Sequence, residues 1–220
     1  MNDLARPDAW TQANQRLLVA ELARLRQRLR ADPEYAAPPA AELQSARAAL
    51  SPPAAIDRLT DRLGLSPFER DVLLLCAGVE LDATLAALCE SDAGEARRHG
   101  ASFGLALAVL EAPHWSALAP VGPLRRWRLV ELDDATGLAR GPLRIDPRVL
   151  DHLAGVDYLD PRLADLLRAA PAPSALAGAH REVADALQAA IETSAPSGRP
   201  PLAWLTGDDP AGQASGGRPE

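Results

Sequence analysis

The sequence predicts a mainly α-helical chain with a small β-hairpin near its centre. Apolar residues recur at helical spacing along most of its 220 residues, and aromatics make up only 4% of a chain that is 47% apolar. A core made of Leu and Ala rather than rings has to be built from aliphatic helix faces. The central strand-like stretches are short and lie close together, around residues 124–132 and 143–145, with a further one expected at Leu202 to Thr206. The length allows one substantial core, or one core with a small flanking helical unit. The 20 prolines cluster, which marks linkers between segments.

The first element is a helix over residues 8–31. Leu18, Leu22, Leu25 and Leu29 follow a four-three-four spacing along one face, and Arg24, Arg26, Arg28 and Arg30 are expected among the solvated positions. So short a repeat favours packing onto the same chain over a dimer seam. A Pro/Ala-rich linker follows, with a short helix before Ser51-Pro52-Pro53. Ile56, Leu59 and Leu63 form the next helical stripe, stopped by Gly64. Ser66, Pro67 and Glu69 carry a helix-start signature, in which the serine oxygen and the carboxylate satisfy amides that lack partners. This helix is expected to end at Gly78, and another, burying Leu81, Leu85 and Leu88, to run from about Leu81 to Cys89.

After a polar loop over 91–100, Ser102 starts a short apolar helix, Phe103 to Leu110. A strand-like run from Leu124 to Leu132 includes Trp127, and a turn-rich stretch leads to a second extended piece, Leu143 to Ile145. A helix from Pro147 to Gly155 closes the series. Helices followed by a two-stranded hairpin make the order of a winged helix, here flanked by amphipathic helices. The expected division is an N-terminal helix and linker over 1–53, a winged-helix domain over 54–160, and a helical extension over 161–193. Within the extension, Pro161 to Ala170 is a helix candidate, and His180 to Glu192 aligns Val183, Leu187 and Ile191 on one side. Residues 194–220 are expected to be a disordered linker.

All 23 basic residues are Arg, so any chemistry that needs a lysine is excluded, including a Schiff base and a lysine-bearing phosphate loop. A formal charge of −7 argues against binding nucleic acid chiefly through phosphates. Cys76 and Cys89 lie in apolar helical stretches and are expected to be buried free thiols in the cytoplasm. No apolar run approaches membrane-spanning length. His99, His114, His152 and His180 show no metal-ligand spacing, so neither a metal nor any other cofactor is expected. His114-Trp115-Ser116 has no nucleophile-elbow context, and Trp115 is expected to be a packing residue.

Gly207-Asp208-Asp209-Pro210-Ala211-Gly212-Gln213-Ala214 has the glycine spacing of a phosphate loop. Gln213 and Ala214 stand where lysine and a hydroxyl are needed, so this is a degenerate remnant that binds no nucleotide. Leu129 to Asp134 is expected to be a wing strand entering its turn rather than a magnesium-holding strand. Arg125, Arg126 and Arg128 are candidate partner contacts. The helix in the recognition position, Ser102 to Leu110, offers nothing to read base edges. Trp127 is expected either to fill the core or, if exposed, to anchor an interface.

The block Leu65-Ser66-Pro67-Phe68-Glu69-Arg70-Asp71-Val72 through Asp82 resembles one in the amino-terminal winged-helix region of bacterial AAA-family ATPases. Phe103 to Ala106, His114 to Leu118, Pro123 to Leu129 and Pro142 to Asp146 share the resemblance, which spans roughly Ala54 to Asp160. Such ATPases are often encoded alongside contractile injection systems. The resemblance implies a non-catalytic regulatory or partner-binding region, whose partner is another protein or the ATPase modules. Both modules are absent from this sequence, which reads as truncated near Gly207. The alternative reading is a winged-helix DNA-binding transcriptional regulator.

Overall fold

Phe68, Val72, Leu73, Leu74, Leu75, Cys76 and Ala77 lie on every side of one helix, and a helix apolar all round has to be enclosed by others. In the computed structural model this is α4, Pro67–Leu81, the central element of the chain. The structure describes residues 8–30, 40–90, 100–132, 137, 139–158, 163, 166 and 178–194. Around α4 pack α1 (Ala9–Arg30), α5 (Ala83–Cys89), α6 (Phe103–Val109) and the hairpin strand β2 (Leu143–Ile145). The start of α4 follows the sequence signature. Ser66 Oγ accepts from the Glu69 amide, the Glu69 carboxylate accepts from the Ser66 amide, and Pro67 occupies the first turn. Such a cap contributes about 1 kcal/mol.

The end of α4 differs from expectation. The helix runs through Gly78 to Leu81, because Gly78 serves packing and not termination. A Cβ there would lie 2.8 Å from one methyl of Leu85 and 3.0 Å from one of Leu22, so the missing side chain lets α5 and α1 close onto α4. The break falls at Asp82, whose carboxylate accepts from the amides of Thr84 and Leu85 and starts α5, turning the chain by 114°. Leu81, expected to be buried, is therefore exposed at the corner, and Leu88 is only partly covered; Leu85 and Cys89 are buried instead.

Helix α1 packs on α2 (Ala40–Ala48), α4 and α5, burying Leu17, Leu18, Leu22 and Leu25 in the same core. That core is continuous across residue 53. Asn14 and Glu21 sit within the buried stripe, and each is paired. Asn14 Oδ1 accepts from the Ala55 amide at the start of α3 (Ala55–Leu63), while its Nδ2 donates to Leu153 O at the end of α8 (Pro147–Leu153). One amide thereby joins two helices separated by about half the chain. Gly64 ends α3 at φ +67, as its position predicts.

The wing is a two-stranded antiparallel hairpin, β1 (Val130–Leu132) with β2, in the register Val130 to Ile145, Glu131 to Arg144 and Leu132 to Leu143. Val130, Leu143 and Ile145 face the core, and the oppositely charged Glu131 and Arg144 face out. The expected strand from Leu124 is shorter than predicted. Pro123–Arg126 forms a short helix, α7, because Pro123 fits a first helical turn and Leu124 seats in the core. The wing turn rests on α6, with the Gly104 amide donating to Ala139 O at 2.8 Å. A Cβ on Gly104 would lie 2.9 Å from that same oxygen.

The chain divides into two compact units, 1–158 and 159–220. Of the second, the structure describes chiefly α9 (Gly178–Ser194), which covers the predicted helix and leaves Val183 and Ile191 about half exposed. Most of the helix candidate at 161–170 lies outside the described residues. Among the described residues, no single helix is long and apolar enough to cross a membrane.

Candidate functional site

The segment between α6 and the wing carries two exposed tryptophans, Trp115 and Trp127. It contains a 3₁₀ turn, Trp115–Leu118, followed by α7 and Trp127. Ala117, Leu118 and Leu124 anchor it in the core and leave Trp115 73%, Val121 82% and Trp127 50% exposed. Trp115 keeps an edge contact with Phe103 at 5.9 Å, so it is not the packing tryptophan the sequence suggested. Trp127 is not a strand residue in the core: α7 ends there, and its ring faces solvent with the Arg126 guanidinium 5.2 Å from its centroid. Arg128 holds a left-handed backbone at φ 51, which directs the chain from α7 into β1.

His114 fixes the base of this segment. Its Nε2 shares a 2.9 Å hydrogen bond with Ser66 Oγ, and its Nδ1 another of 2.9 Å with Ser116 Oγ, while its ring lies 5.1 Å from that of Phe68. No acid touches the imidazole among the described residues, and the Ser66 hydroxyl is already the cap of α4. The trio ties the 3₁₀ turn to the start of the central helix.

Helix α6 stands where a winged helix presents its reading helix. It carries Phe103, Gly104, Leu105, Ala106, Leu107, Ala108 and Val109, with Phe103 and Ala106 buried and Leu105, Leu107 and Val109 packed against the core. Its first turn is satisfied from within, by Ser102 Oγ accepting from the Leu105 amide and by the Ala139 carbonyl on Gly104. The surface that α6 leaves open is aliphatic, made of Ala108 and the outer sides of Leu105, Leu107 and Val109, and the amides of Gly104 and Leu105 already have acceptors.

A second charged constellation lies between α1, α2, α3 and α4. Glu21, with a side chain only 3% exposed, receives Arg24 at 2.9 Å, Arg70 at 2.8 Å, and Arg47. Arg24 also grips Asp71 in a two-bonded fork, at 2.6 and 3.0 Å. Burial raises the pKa of Glu21, but Arg70 and Arg24 outweigh it and hold the carboxyl below its ordinary range. Asp57 goes the other way. Although Arg47 Nε approaches it at 2.9 Å, burial, with help from the charges of Glu21 and Asp61, pushes its pKa up. Burial also raises both thiols, with Cys89 pushed up to about 11 and Cys76 further still, so both are protonated and unreactive at neutral pH.

Of the candidate contacts, Arg126 and Arg128 are exposed, whereas Arg125 is half-buried and donates inward to Leu118 O at 3.2 Å. Gly207, Gly212, Gln213 and Ala214 lie outside the described residues. Two of the helix arginines expected to be solvated are instead part of the packing. Arg24 flanks the buried stripe and meets Asp71, and Arg26 meets Asp82 at 3.3 Å. The signal that points to this was in the sequence, since Asn14 and Glu21 fall at helical spacing on the leucine face.

An antiparallel wing that follows short helices and is closed by a further helix defines a winged-helix protein. The chain matches the family described as "Winged helix domain, variant" over residues 3–167 and belongs to that family. The match takes in α1 to α8 and the wing. No curated protein and no solved structure matches the chain.

Proposed function

We infer that the chain is a non-catalytic partner-binding module, acting in the cytoplasm. More finely, it is the regulatory amino-terminal region of an AAA-family ATP-binding protein, of the type associated with contractile injection systems. The observation that carries partner binding is the contrast between α6 and the segment after it. The helix in the reading position is apolar and packs against the core, while Trp115, Val121 and Trp127 of the following segment stand exposed, with Arg126 over the Trp127 ring. Tryptophan and arginine are the residues most enriched among the anchors of protein interfaces. The ATPase assignment is supported by the sequence blocks between Ala54 and Asp160. The non-catalytic reading is supported by the absence of lysine and of any nucleophile–base–acid set among the described residues.

Calorimetric titration of the chain into the isolated ATPase modules of an AAA-family protein of the resembled type tests this reading. A saturable complex is expected, weakened at least about tenfold by Trp127→Ala. Absence of a complex overturns the ATPase assignment. Sequence-selective, steeply salt-dependent binding of duplex DNA overturns the partner reading in favour of a DNA-binding regulator, which the family and the exposed Arg126 and Arg128 would suit.

A further inference from the structure

Helices α3 and α8 are held side by side by Asn14 and enclose a groove of about 470 Å³. Its aliphatic surface comes from Leu59 and Leu63, one helical turn apart on α3, and from Val149 on α8. All three are only partly buried, packing against the core with one side. Arg58, Arg62 and Arg148 also line it, facing a single carboxylate, Asp157. Asp157 is engaged by His152 and, at a loose 3.8 Å, by Arg58. With Arg148 drawn to Asp146, Arg58 and Arg62 are left with the one carboxylate Asp157, a local excess of positive charge on a chain whose formal charge is −7.

The pairing of Arg58 and Arg62 is incomplete. Arg58 lies over Trp10 at 5.2 Å, and its Nε is buried without an acceptor among the described residues. Arg62 is exposed and has no ion-pair or hydrogen-bond partner among the described residues. Arg148 is drawn to Asp146, the cap of α8, at 3.5 Å. This combination differs from the cluster around Glu21, where each arginine meets at least one carboxylate at hydrogen-bond distance.

We propose that the groove between α3 and α8 is a docking site for an acidic amphipathic helix of a partner protein. Apolar side chains one turn apart on such a helix would cover Leu59, Leu63 and Val149, and its flanking carboxylates would complete the pairing of Arg58 and Arg62. The aliphatic floor favours a protein helix over nucleic acid: a phosphate backbone could meet the arginines but would leave Leu59, Leu63 and Val149 uncovered, and stacked single-stranded bases would need an open aromatic face. Here the Trp10 ring is covered by Arg58. The site is separate from the aromatic segment at Trp127 and stands or falls independently of it.

The test uses the whole chain and a fluorescein-labelled peptide of about 16 residues, with leucines one turn apart and glutamates beside them. A Lys-for-Glu version of the peptide and duplex DNA serve as comparisons. Saturable binding is expected for the glutamate peptide alone, with methyl NMR shifts at Leu59, Leu63 and Val149. Arg62→Glu, at an exposed position outside the packing, should weaken it at least about tenfold while leaving the melting curve in place. No saturable binding, equal binding of the lysine peptide, unchanged affinity in Arg62→Glu, or displacement of the peptide by duplex DNA would each overturn the proposal.

Discussion

Two sets of arginines in this chain share a chemistry and do opposite work. Arg24, Arg47 and Arg70 converge on Glu21, Asp57 and Asp71 between packed helices and tie α1, α2, α3 and α4 together. Arg62 on α3, with Arg126 and Arg128 near the wing, stands in solvent. Nothing in the residue type separates the sets. The difference lies in the carboxylates that the fold places opposite them, and in whether water reaches the pair. A buried charge without its partner is costly, so the first set is part of the architecture. An exposed charge is stabilised by water wherever it stands, so the second set is free to be selected for contact.

Removing the shared carboxylate breaks this comparison most severely. Glu21→Ala leaves Arg47 and Arg70 without their closest partner and should lower stability by about 3–5 kcal/mol in urea denaturation. Asn14→Leu keeps the branched shape, with somewhat greater bulk, but leaves the Ala55 amide and Leu153 carbonyl unpaired, and should cost about 2–3 kcal/mol by the same measurement. The cluster also sets the acid side of the stability profile. Glu21, with its pKa held down, stabilises the fold above its ordinary value of 4.5, and this contribution is lost as pH falls below it. Asp57, pushed up, contributes stability that is complete below its ordinary value of 3.8 and is lost as pH rises through its raised value. The two oppose each other, so Asp57→Asn should steepen the loss of stability on acidification below pH 4.5, read from melting temperatures across that range. The smallest effect belongs to the open set: Arg62→Gln should change stability by less than about 0.5 kcal/mol.

Local signals carried most of the fold. The caps at Ser66 and Gly64, the leucine stripe of α1, the short helix from Ser102 and the strand at Leu143 are all set by neighbours within a few residues, and the structure has them where the sequence puts them. Features decided by distant neighbours leave a weaker trace in the sequence. Gly78 resembles a helix stop until Leu22 and Leu85 are seen to meet over it. Trp127 resembles a core residue until α7 places Leu124 in the core instead. The basic run 125–128 was legible as a candidate surface, but the inward bond of Arg125 to Leu118 was not. The α3–α8 groove was invisible in the sequence, because its two walls are separated by about half the chain and are joined through a third helix.

The most direct test of the division between sealed and open arginines is an NMR spectrum of their side-chain Nε–H groups near neutral pH. The Arg24 Nε–H, which donates to Glu21 at 2.9 Å, should exchange slowly with solvent, while those of Arg62, Arg126 and Arg128 should exchange fast. Rapid exchange at Arg24, or protection at Arg62, Arg126 and Arg128 in the chain alone, would contradict the account.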